Sequence, residues 1–89
     1  SYLLTTGDNS KTISTNAGVT VPNTVISTGQ MFSIFNNSAS SITITSAGSI
    51  TMYLGGSSTT GNRTVATYGI ATVLCVAANT FVVNGTGLT

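Results

Sequence analysis

The sequence predicts an all-β fold: a small antiparallel β-sandwich or barrel of about six to eight short strands, forming a single β domain over residues 1–89. Three observations lead there. Apolar residues recur with a period of two, and no stretch shows the 3.6-residue period of a helix. Turn residues interrupt that pattern at short intervals. The length, 89 residues with 40% hydrophobic side chains, suits one marginal core of the kind that self-association commonly supplements.

The elements follow in order. The chain opens on a turn, Thr6-Gly7-Asp8-Asn9-Ser10, where the Asp8 carboxylate is suited to cap backbone N–H groups. An exposed ion pair between Asp8 and Lys11 would add only about 0–1 kcal/mol. Short strands are expected at Thr12-Ile13-Ser14 and at Val19-Thr20-Val21, the second closed by Pro22, which cannot donate to a ladder. Met31-Phe32-Ser33-Ile34-Phe35 forms the next and ends at Asn36-Asn37-Ser38. Residues 41–45 and 49–54 alternate strictly, and Ala47-Gly48 between them reads as the turn of a hairpin. The apolar run from Ile70 to Val76 reads as a strand buried on both faces, and Ala77-Ala78-Asn79 turns it into Thr80-Phe81-Val82-Val83 as a second hairpin. Alternation points Ile42, Ile44, Ile50, Met52, Val73, Cys75 and Phe81 inward. No internal repeat recurs at a fixed period, so one compact unit is expected rather than a solenoid.

Charge is the most unusual property. Asp8, Lys11 and Arg63 are the only charged residues, 3% of the chain against about 25% in an ordinary soluble domain. Sheet proteins usually protect strand edges with Lys, Pro or inward-pointing charges, and this chain has almost none of these. Its surface is therefore expected to be covered by other copies or by a larger assembly. With a mean hydropathy of +0.41 the chain is not disordered. No apolar run approaches the length of a membrane span, so no membrane partner is expected. The lone Cys75 lies in an apolar run, as a small core residue does.

For chemistry the chain is nearly empty. It has no His, one carboxylate and one thiol, so there is no acid–base pair, no metal-ligand cluster and no activated nucleophile. No enzymatic activity, cofactor or metal is expected. Gly55-Gly56 and Gly85-Thr86-Gly87 lead into no helix and precede no P-loop Lys, and two unclustered cations cannot neutralise a nucleic-acid backbone. Three Asn-x-Ser/Thr triplets begin at Asn36, Asn62 and Asn84, as chance provides in a chain this rich in Ser and Thr. What remains is a candidate interface. The polar stretch from Leu54 to Asn62, with Gly55 and Gly56, is a natural contact loop. Arg63 beside it offers a guanidinium fork either as a loop clamp or to a partner, and Tyr53 and Tyr68 are the aromatics that could stack on a sugar.

The order of motifs resembles a small module that recurs in structural proteins of tailed bacteriophages. The residues that carry it are Thr6-Gly7-Asp8-Asn9-Ser10-Lys11-Thr12-Ile13, Val19-Thr20-Val21-Pro22, Thr28-Gly29-Gln30-Met31-Phe32-Ser33-Ile34, and Tyr68-Gly69-Ile70-Ala71-Thr72-Val73-Leu74-Cys75-Val76 with Asn79-Thr80-Phe81-Val82-Val83-Asn84-Gly85. Only their order is specific, and it spans nearly the whole chain. Where the module often has Trp near the last strand, this chain has Phe81, which keeps the apolar role and drops the hydrogen-bond donor. The resemblance implies a virion protein that is part of a homotrimer and contacts the major capsid protein or other virion proteins. Its expected role is a capsid decoration protein on the head. Ser1 at the start, as in a mature chain with Met removed, tilts the expectation that way. The alternative is a tail fibre or appendage module that binds a cell-surface glycan, which needs an aromatic beside convergent amides in a groove. Thr-x-Thr pairs also suggest ice binding, but the flat, regular Thr array it requires is missing.

Overall fold

The structure, a computed structural model, describes residues 2–89. Its strands in chain order are β1 (Tyr2–Leu3), β2 (Thr12–Thr15), β3 (Val19–Val21), β4 (Met31–Asn36), β5 (Ile42–Ser46), β6 (Thr51–Leu54), β7 (Arg63–Val65), β8 (Ile70–Ala77) and β9 (Thr80–Asn84). A single 3-10 turn, Thr6–Asp8, lies between the first two, and there is no α-helix among the described residues. The chain is all-β. It builds a four-stranded sheet, β1-β3-β5-β7, and a five-stranded sheet, β2-β4-β8-β9-β6. Both sheets keep open edges, so the architecture is a two-sheet sandwich and not a closed barrel.

Strand direction corrects the expected antiparallel sheet. From β1 to β8 each strand lies in the sheet opposite its predecessor, so the chain winds around the core. Winding makes β1, β3 and β5 parallel to one another and β2 parallel to β4, and β6 also runs parallel to β9. Only β4–β8, β5–β7 and β8–β9 are antiparallel. A period of two fixes which face of a strand is apolar, but it carries no information on the direction of the neighbour. The winding also qualifies the expected absence of a solenoid. Tyr2 pairs with Val19, Thr12 with Ser33 and Val19 with Ile44, so the first five strands are coiled, with an offset that lengthens at each turn and leaves no fixed period to detect.

The hairpin expected at Ala47-Gly48 is not formed, because β5 and β6 belong to different sheets. Residues 47–50 carry the chain across the core instead. They are pinned to the segment after Pro22: the Ser49 N–H donates to Asn23 Oδ1 (3.1 Å), Asn23 Nδ2 to Ser49 Oγ (3.2 Å) and the Ala47 N–H to the Val21 carbonyl (3.0 Å). Gly48 has φ +67°, and a Cβ there would lie 2.7 Å from Asn23 Oδ1, so glycine is required on both counts. The second hairpin is present. Ala77 and Thr80 pair around the two-residue loop 78–79, with Asn79 in the left-handed region at φ 52°.

Val19, Val21, Ile42 and Ile44 from one sheet meet Phe32, Ile34, Met52, Val73, Cys75, Phe81 and Val83 from the other in a single core. All the predicted inward residues are buried except Ile50, which is half-buried at the crossing. The Cys75 thiol donates to the Ala77 carbonyl (3.1 Å).

Candidate interaction surface

Expected site residues fall in three separate places. In β6, Tyr53 is half-buried, and the stretch after it folds back as a tight turn. The Leu54 N–H donates to the Thr59 carbonyl (2.9 Å), the Gly61 N–H to the Met52 carbonyl (3.1 Å), and Tyr53 forms a bridge with Thr60. Gly55 packs against β9: its N–H donates to the Val83 carbonyl (2.7 Å), and a Cβ would lie 3.2 Å from Asn84 Cβ. Gly56, at φ +80°, faces open space. The segment read as a contact loop is thus a lid on the β6 edge.

Asn62 fastens that lid to the other sheet. Its Oδ1 accepts from the Ser46 N–H (2.9 Å) and from Ser46 Oγ (3.1 Å), which extends the end of β5. Arg63 lies in β7 opposite Ile44, and its Nε donates to the Asn62 carbonyl (2.8 Å). That bond is local, to the residue before it, and is compatible with both the clamp and the partner reading of the guanidinium. Tyr68 stands elsewhere, 62% exposed in the turn before β8 and held at φ 54°. β9 lies between β8 and β6, so the two tyrosines do not converge. Neither lines the surface hollows of about 270 Å³ formed by Thr24, Ile26, Ser27, Thr28, Ala78 and Asn79, and by Ser10, Lys11, Thr12, Met31, Phe32 and Ser33.

An apolar feature on the outer face of the five-stranded sheet was not legible as such in the sequence. Residues 70–76 are not buried on both faces: Ala71, Val73 and Cys75 point inward, while Ile70, Leu74 and Val76 are 46%, 38% and 45% exposed. Leu74 stands opposite Met31 on β4 and Val82 on β9, and Val82 stands opposite Tyr53 on β6. An apolar row thus crosses four strands of the outer face, with Ile70 and Phe35 paired beyond it. None of these four strands contains a charged residue. The missed signal is the alternation itself, since an apolar residue at every position of a strand is compatible with an outer face awaiting a partner as well as with a buried sheet.

Two further polar side chains bond within the chain, Asn36 in the core and Asp8 near the surface. Asn36 is fully buried: its Nδ2 donates to the carbonyls of Ser40 (2.7 Å), Ala66 (3.0 Å) and Val65 (3.2 Å), and its Oδ1 accepts from Ser38 Oγ (2.7 Å). This removes its triplet as a glycan acceptor. Asp8 closes the 3-10 turn as expected, accepting from the Thr5 N–H (2.8 Å) and the Tyr2 hydroxyl (2.8 Å). Desolvation pushes its carboxyl up, but the bonds from Thr5 and Tyr2 together with the Lys11 charge outweigh that and hold it below the usual value. The bond to Asp8 raises the Tyr2 hydroxyl in turn. Comparison with protein-family models, with curated proteins and with solved structures finds no match to this chain.

Proposed function

We propose that this chain is a non-enzymatic structural component of a tailed-phage virion, a decoration protein that coats and reinforces the head. The observation that carries the reading is the uncharged apolar row Met31, Leu74, Val82 and Tyr53 on the outer face of the five-stranded sheet. A row of this kind, exposed at Met31 and Leu74 and half-buried at Val82 and Tyr53, on a chain with three charges, calls for burial against neighbouring proteins. The phage-module resemblance supplies the neighbours: copies of the chain around a three-fold axis, and the major capsid protein beneath them. Such a protein binds the assembled lattice and not its separated subunits, so each bound copy stabilises the shell by mass action.

The test uses purified particles. Those stripped of the protein should release DNA at a lower temperature than intact ones, and adding the protein back should restore resistance. Leu74→Lys places a charge in the centre of the row and should abolish that restoration while leaving the isolated fold intact. The tail-appendage reading draws on the exposed Tyr68 ring. Labelling confined to the tail, with soluble protein that blocks adsorption to cells in a Tyr68-dependent way, would favour it instead.

A further inference from the structure

The four sheet edges are treated in two different ways. At the far ends the chain covers its own strands. On β6, residues 59–61 satisfy Met52 and Leu54. On β7 the C-terminal tail does the same: Thr64 and Thr89 exchange N–H to carbonyl bonds (3.0 and 2.9 Å), and the Ala66 N–H donates to the Gly87 carbonyl (2.9 Å). The near edges, β1 and β2, pair on one side only. The Tyr2 and Leu4 N–H groups donate to Gly18 and Thr20 of the β3 side, so the backbone N–H and carbonyl of Leu3 point away from the sheet. On β2, the Lys11 and Thr15 carbonyls accept from Ser33 and Asn37, so it is Thr12 and Ser14 whose backbone groups point outward. Winding sets these two open edges at the same end of the sandwich.

We infer that this end pairs with the same end of a second copy of the chain. A two-fold axis normal to both sheets sets β1 antiparallel to its counterpart and β2 antiparallel to its own, and extends both sheets at once. An isologous contact places like residues near like, so a charged edge would repel itself. Leu3, Thr12 and Ser14 carry no charge and their side chains are exposed, and with Ile13 on the axis the exposed Lys11, which leads into β2, faces Thr15 of the second copy and not its own counterpart, so the edge does not set like charges opposite each other. The contact is separate from the apolar face and from any three-fold packing on it. Combined with a trimer it closes six copies, and without one it gives a dimer.

The mass of the intact chain in solution tests this. Ser14→Pro removes an N–H that the single chain does not use, whereas Ile13→Pro removes one that joins β2 to β4. Ser14→Pro should halve the wild-type mass with thermal unfolding of the separated unit unchanged, and Ile13→Pro should unfold the strand. The double variant Thr12→Lys, Ser14→Lys leaves the backbone unaltered and should halve the mass at low salt but not at high salt. Backbone amides of Leu3, Thr12 and Ser14 should be protected from hydrogen exchange in the wild type; those of Leu3 and Thr12 should lose protection in the Ser14→Pro variant, and all three positions should lose it in the double Lys variant at low salt. A wild-type mass unaffected by either variant overturns the inference, as does protection of these amides in a single chain, which would mean another strand covers the edge.

Discussion

Asn36 joins the two sheets through polar contacts at a position where an apolar side chain could offer only packing. It ends β4 in one sheet, and its amide holds the carbonyls of Val65 and Ala66 at the end of β7 in the other. In the sequence it reads as the first residue of a turn and a potential glycan acceptor, because short-range signals favour Asn in turns and carry no trace of a contact some thirty residues away. Its burial depends on where β7 returns, which no local pattern encodes. Asn36→Leu removes a donor from three carbonyls; those of Ala66 and Ser40 keep their bonds from the Gly69 N–H and Ser38 Oγ, while the contact with the Val65 carbonyl is fully buried, where an unsatisfied group costs about 1–3 kcal/mol. Asn36→Asp should be worse, since it sets an acceptor against acceptors. Denaturant melts of both variants check this against Ser38→Ala, which removes the bonds of Ser38 Oγ with Asn36 and Ser40, nearer the surface, and should lose the least. Asp8, by contrast, was legible, because its partners Thr5 and Tyr2 lie within the same short segment.

Among the elements, seven of the nine described strands were readable, β1 and β7 being missed, and of their pairings only the β8–β9 hairpin was. Alternation located β4, β5, β6, β8 and β9 to within a residue or two and assigned their inward rows, since side chains project to opposite faces whatever the neighbouring strand. It failed at Ala47-Gly48, where small turn residues suit a flat hairpin and a crossing equally; the choice was made by Asn23, a residue distant in sequence. It failed again at residues 70–76, where hydrophobicity on both faces was taken for burial on both. The inward assignment has a direct check. Phe81 is buried between β6 and β8, and Phe81→Ala should cost about 3–5 kcal/mol. Thr43, on the outer face of β5, should cost less than about 0.5 kcal/mol as Thr43→Ala. Equal losses in urea melts would place the wrong face inward.

At the scale of the molecule, the candidate interface divides into a part that holds the chain together and a part that faces outward. Gly55 and Asn62 fasten the segment between the sheets, while the apolar row and the open edges were concealed by a topology that sequence periodicity does not carry. That topology also governs how the chain reaches its native state. Of the seven ladders, only β8–β9 joins strands that follow one another in the chain; every other pairing must wait for at least one intervening strand. Loop closure then precedes most of the stabilising contacts, so refolding is expected on the order of milliseconds to seconds, slow for so short a protein. The β8–β9 hairpin is the natural nucleus, and its turn rests on Asn79, whose left-handed backbone an alanine adopts poorly. In stopped-flow measurements Asn79→Ala should mainly slow refolding, whereas Val21→Ala, in a strand that docks late, should mainly speed unfolding. Reversed effects would move the nucleus to the wound strands. Until those strands dock, the apolar faces of β8 and β9 stand open to solvent. The interval before the chain wraps around its hairpin is therefore when it is most exposed to aggregation, and low temperature and dilution during refolding should raise the yield.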